Sequence, residues 1–178
     1  MSRIASGRMT HSYEGELVIF HIGMQINRWW RPDLWVPVFG AMPRMLRELS
    51  ADPDSGLLGF HLLLGEGGPT VIQYWSSVEK LYAYASVSSH EHRPAWTRFN
   101  RMARKAPGAV GIWHETFVVD RAESMYVSTK PRGLAKATQL VEVGRATHQA
   151  RDRLAAGRTT RRPPHPTAEP APAPAPAA

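Results

Sequence analysis

The chain predicts an α+β fold, an antiparallel sheet with helices on one face, and three observations carry that expectation. Four apolar runs of strand length cover residues 16–27, 57–64, 70–75 and 110–119. The second and third runs are joined by the short segment Gly65-Glu66-Gly67-Gly68-Pro69, a hairpin connection. The stretches after the first and third runs carry helical periodicity. The order β-α-β-β-α-β is the ferredoxin-like split βαβ arrangement.

Each element has a local reason. Glu16 to Asn27 (ELVIFHIGMQIN) is rich in β-formers, with Val18, Phe20, Ile22, Met24 and Ile26 on one parity. Arg28-Trp29-Trp30-Arg31-Pro32-Asp33 reads as a turn, because Pro32 disfavours helix at Arg31 and Asp33 can cap a helix starting after it. Leu34 to Leu49 predicts the first helix, with Val38, Met42, Met45, Leu46 and Leu49 at helical spacing and a kink or delay at Pro43. Ala51-Asp52-Pro53-Asp54-Ser55-Gly56 is a dense turn signal. Leu57 to Leu64 and Thr70 to Trp75 are the second and third strands. Ser77 caps a helix running to about Val87, Ser88 and Ser89 interrupt it, and a second piece runs from about His90 to Ala106. Lys105-Ala106-Pro107-Gly108 ends that piece, and Val110 to Val119 is the fourth strand.

The strands are apolar on both parities. In the second, Leu58, Phe60, Leu62 and Leu64 alternate with Leu57, His61 and Leu63. Helices cover only one face, so the other is expected to pack against the same face of a second copy, giving a homodimer. Around the central domain, residues 16–120, the reading places a flexible leader at 1–15. A C-terminal arm with a short helix spans 121–156, and a disordered Pro/Ala-rich tail spans 157–178.

Composition limits the chemistry. A length of 178 residues suits one domain. Cysteine is absent, which excludes disulfides, thiol nucleophiles and cysteine-ligated metals and fits a cytoplasmic location. No run approaches the roughly 18 apolar residues of a membrane span. The two arginines near the N-terminus precede no apolar stretch, so no secretory signal is expected. Of the net charge of +7, more than half sits in residues 145–178, where six arginines face only Asp152 and Glu169. No nucleic-acid module signature accompanies that charge, and specific nucleic-acid binding is not expected.

Several side chains are candidates for a site. His61 and His114 each lie inside an apolar strand. Such a histidine is commonly a hydrogen-bonded core or interface residue; the functional reading is a pocket acid/base, because imidazole titrates near neutrality. Trp75, Trp96 and Trp113 are read either as packing or as the walls of a cavity for an aromatic ligand. Arg31 beside Trp30 is a solvated turn residue or a partner for a carboxylate or phenolate. His90 and His92, two residues apart, point to different helix faces and form no metal site by themselves. No phosphate loop, nucleophile elbow or Rossmann fingerprint is present, and Gly65-Glu66-Gly67-Gly68 joins two strands rather than opening a helix.

Three stretches occur together: Tyr74-Trp75 with Ser76 to Leu81, His92-Arg93-Pro94-Ala95-Trp96 with Phe99-Asn100, and Gly111-Ile112-Trp113-His114-Glu115-Thr116. With Gly133-Leu134-Ala135-Lys136-Ala137 they resemble small bacterial and fungal proteins described as ABM-type polyketide monooxygenase-like, within the dimeric α+β barrel superfamily. Ser128-Thr129-Lys130-Pro131-Arg132 departs from that family's usual arm pattern. The resemblance implies a cofactor-independent monooxygenase acting on a phenolic or polyketide-like molecule. His114, with His61 second, would serve as base, the three indoles would exclude water, and Asn100 would orient an oxygen atom. Haem-binding relatives in the superfamily supply the alternative, a dehydratase-like enzyme with His90, His92 or His114 as axial ligand. A non-catalytic ligand-binding dimer is the third reading.

Overall fold

Four apolar runs of strand length build a central antiparallel sheet from β2 (Leu17–Ile26), β3 (Leu57–Gly65), β4 (Gly68–Trp75) and β5 (Val110–Val119), after a short β1 (Arg8–Ser12). The structure, a computed structural model, describes residues 4–65, 67–86 and 92–157, without the side chains of His92 and Arg93. The sheet order is β3-β4-β2-β5, and every neighbouring pair is antiparallel. The first core strand thus lies between the third and the last, which is the ferredoxin-like order.

The helices divide differently from the expectation. The first helical segment is two helices, α1 (Pro32–Phe39) and α2 (Ala41–Ala51), and the break falls at Gly40 rather than at Pro43. Pro43 sits in the first turn of α2, where its missing N–H would have had no intrahelical acceptor. Ser77 Oγ accepts the Lys80 N–H at 3.1 Å at the start of α3 (Val78–Ser86), as an N-cap should. The next helix, α4, spans His92–Lys105.

One parity of the sheet faces these helices. Val18, Trp75, Leu49, Leu81 and Tyr84 form one buried cluster, and Met24, Ile26 and Val110 form another with Leu34, Val38, Phe99 and Met102 against them. The pairings Val18–Trp75, Phe20–Gln73 and Ile22–His114 put Gln73 and His114 on this face too.

The opposite face is not bare, contrary to the expectation from sequence. Residues 8–12, expected to be a loose leader, form β1, which pairs with β6 (Tyr126–Val127) on one side and β7 (Gln139–Glu142) on the other. This small sheet and α5 (Leu134–Ala137) pack over the edge formed by β3 and β4. Leu17, Tyr74 and Ala122 are buried there against Tyr13, Leu58, Ile72, Leu134 and Ala137. The approach is close: a Cβ on Gly59 would lie 2.9 Å from the Ala137 backbone. A final helix, α6 (Ala150–Ala156), is tied down by Arg153, which is 6% exposed. Its guanidinium meets Glu123 at 2.6 Å and donates to the carbonyls of Thr147 and His148. The arm leaves Trp113, Phe117 and Leu63 exposed on this face. The tail beyond residue 157 lies outside the described residues.

Candidate active site

A cavity of about 750 Å³ opens between the sheet and all four of its helices. Its floor is the helix-facing parity of the strands: Phe20, Ile22 and Met24 from β2, Val71, Gln73 and Trp75 from β4, and Ile112, His114 and Thr116 from β5. Its roof is apolar, with Leu34 and Val38 from α1, Met42 and Met45 from α2, Tyr84 from α3 and Phe99 from α4. Such a volume and lining suit a drug-sized apolar ligand.

Three polar side chains, Gln73, His114 and Thr116, face this space from the floor. Gln73 is 4% exposed. Its Oε1 accepts the Trp75 indole N–H at 2.9 Å, and since an indole can only donate, that bond fixes which end of the amide is oxygen. The amide nitrogen then points toward the Met42 sulfur at 3.8 Å, a weak acceptor. A buried N–H donor is thus held toward the cavity with little to satisfy it. His114 lies on the outer strand β5, with its ring 5.3 Å from that of Phe20. It is exposed in the single chain, so the cavity is open along the β5 flank.

Aromatic rings shape the rest. Trp75 is 1% exposed and sits against Tyr84, whose hydroxyl donates to Glu48 at 2.8 Å. Trp96 stacks on Phe99 with ring centres 5.5 Å apart and is half-exposed at the rim.

A family model described as Monooxygenase af470-like matches residues 17–134. The chain belongs to the monooxygenase af470-like family. Monooxygenase af470 of Aspergillus fumigatus is 32% identical to it over 146 residues, which cover 68% of this chain and 47% of that protein. The chain therefore spans about half the length of this curated relative. Among solved structures, SnoaB, a cofactor-independent oxygenase from Streptomyces nogalater, is 12% identical, with a TM-score of 0.42. The match covers 59% of this chain and 94% of SnoaB. A dimeric ferredoxin-like protein of unknown function from Thermobifida fusca is 17% identical, with a TM-score of 0.41 over 61% of this chain and 95% of its own.

In this af470-like chain the residues singled out from the sequence fall in different places. Trp75, Trp96 and His114 meet at the cavity. Trp113 does not: it faces the other side of the sheet, edge-on to His21 and against Gly23. Adjacent strand residues point to opposite faces, so His114 and Trp113 cannot both line one chamber. His61 is likewise on the far face, where its Nε2 accepts the Gly133 N–H at 2.7 Å. Asn100 is outside the lining, because the cavity-facing stripe of α4 runs through Ala95, Phe99 and Met102. Arg31 forms a two-pronged pair with Asp33 at 2.8 and 2.7 Å, and that hydrogen bond holds the Asp33 carboxyl below its ordinary range. Of this pair, Asp33 reaches the cavity. His90 and the His92 side chain lie outside the described residues. Among the described residues no three His, Asp or Glu side chains converge as a metal site.

Gln73 was not singled out from the sequence. The signal was present, since a glutamine in the apolar run Thr70 to Trp75 is the kind of buried polar residue that asks for an explanation.

Proposed function

We propose that the chain is a cofactor-independent monooxygenase for an electron-rich phenolic or polyketide-like molecule held between sheet and helices. The observation that carries this reading is the presence of both His114 and the buried amide of Gln73 on the floor of one apolar cavity, in a chain of a monooxygenase family. The His114 imidazole takes the proton of a phenol or enol. The resulting anion passes one electron to dioxygen, giving a substrate radical and superoxide. Their combination forms a carbon–oxygen bond, and the peroxide then loses water as its carbon becomes a carbonyl. One dioxygen is consumed, one atom enters the product and the other leaves as water. In this reading the Gln73 N–H donates to the anionic oxygen, since a preorganised donor in an apolar site acts most strongly.

The active form in this proposal is a homodimer. Trp113 and Phe117 on one face of β5, and Val118 on the other, are exposed in the single chain. A second copy against this strand would bury them and close the open flank beside His114.

Oxygen uptake with a panel of anthrones, naphthols and quinols tests the reading. The expected result is uptake matched one-to-one by product and reduced roughly 100-fold or more in His114→Gln. Absence of uptake across the panel, or full activity in that variant, would overturn it.

A further inference from the structure

Helix α4 is cationic along its whole length. Its sequence, HRPAWTRFNRMARK, contains no acidic residue. Arg98, Arg101 and Lys105 recur at spacings of three and four, which places them on one stripe of the helix. All three are exposed and all three border the apolar cavity, beside Trp96 and Phe99. Among the described residues none of them has an ion-pair partner. Among the described residues Asp33 is the one carboxylate that borders the cavity, and it is already paired with Arg31.

This arrangement works against the helix. Like charges three and four residues apart repel, costing a few tenths of a kcal/mol per pair. Lys105 lies in the last turn, where a cation is favourable next to the helix C-terminus, but Arg98 and Arg101 lie too far from it to share that benefit. An uncompensated cationic stripe along the rim of an apolar chamber is complementary to a molecule with an apolar body and an anionic end.

We infer that the cavity takes an anionic amphiphile, a small molecule whose apolar portion fills the chamber while a carboxylate or phosphate at one end lies across Arg98, Arg101 and Lys105. Arg98 and Arg101 offer the planar fork that matches either oxyanion, and Lys105 adds a mobile charge. The inference rests on the cavity as the ligand site and deepens the proposed function by adding an acidic group to the substrate, remote from the ring that is oxidised. The head group is solvent-facing, so its contribution is specificity and capture more than burial energy.

Binding of decanoate, decyl phosphate, decanol and decyltrimethylammonium, followed by quenching of tryptophan fluorescence at low salt, tests the inference without reference to oxidation. The expected order is both anions over decanol over the cation, with an advantage of roughly fivefold to tenfold for an anion. In the triple variant Arg98→Gln, Arg101→Gln, Lys105→Gln, that advantage disappears while decanol binds as before. The exposed positions and the retained side-chain stems keep the fold intact, and unchanged decanol affinity verifies that. Raising the salt concentration should shrink the preference in the parent protein and leave decanol unaffected. Equal affinity for decanoate and decanol, or an anion preference that survives the triple substitution, would overturn the inference. So would sedimentation with phosphatidylglycerol vesicles combined with no preference among the soluble probes, since the stripe would then serve a lipid surface. Anion preference without oxygen uptake would leave this inference standing and remove the oxidative one.

Discussion

Gln73 presents its two ends to different partners, one strong and one weak. Trp75 holds the oxygen, and the nitrogen is left toward Met42 and the cavity. Replacing Gln73 with Leu keeps the volume but strips the Trp75 N–H of its acceptor in a site that is 1% exposed. The expected loss is about 1–3 kcal/mol of folding stability in denaturant titration. Gln73→Glu retains an acceptor for Trp75, so it should recover part of that stability and none of the donor function. If both variants were as stable as the parent, the pinned amide would not exist as described. At this scale the sequence was legible wherever parity alone decided orientation. His114, Ile112 and Thr116 do share a face, as their alternation requires. Trp113 was misassigned by chemistry overriding geometry: an indole next to a histidine invites one pocket, but a strand sends them apart. Asn100 and Arg31 depended on helix phase and on a local ion pair, neither of which a residue type reveals.

The arm of β1, β6, α5 and β7 is held by histidines on its inner side. His61 accepts the Gly133 N–H, and His11 contacts the Ser124 hydroxyl through Nδ1 at 2.8 Å. Both imidazoles are held below their ordinary value. Burial is the main cause in each; the Lys136 and Arg132 charges add to it at His61, whereas Glu123 opposes it at His11. A histidine with a lowered folded-state value is favoured neutral by the fold, and the unfolded chain binds more protons. The stabilisation is therefore present above about pH 6.5 and is lost as pH falls through the folded-state values. Hydrogen exchange at the Gly133 amide should show greater opening at about pH 5.5 than at about pH 7.5, after correction for intrinsic rates. Protection that is independent of pH would contradict the role given to His61. The four core strands were readable as apolar runs of strand length, and the broad helical regions by their helical period. The arm was not, since Arg8–Ser12 has no apolar alternation of its own and becomes a strand only through partners more than a hundred residues away. The helix break at Gly40 was obscured by Pro43, a stronger signal that sits where proline is harmless.

The whole molecule is a two-sided sheet with different work on each side. Helices and the cavity occupy one face; the arm occupies part of the other and leaves Trp113 and Phe117 uncovered. The expectation of a bare second face came from counting helices, and segments such as Arg8–Ser12 and Gln139–Glu142 that return over the sheet as strands escape such a count. In the proposed dimer the uncovered portion meets a second copy. Sedimentation should find dimers, and Phe117→Asp should yield folded single chains, because a second carboxylate beside Glu115 on that face would be unpaired and costly to desolvate. No helix among the described residues is long and apolar enough to cross a membrane. In the proposed enzyme the ligand lies on the helix-covered face of the sheet, between His114 and Gln73. Titration of 1-naphthol into isotope-labelled protein tests this most directly, with the Gln73 side-chain amide and the His114 ring followed by NMR. Both should shift with one affinity while the His61 ring and the Trp113 indole stay in place. Shifts at His61 and Trp113 with Gln73 and His114 unmoved would contradict it.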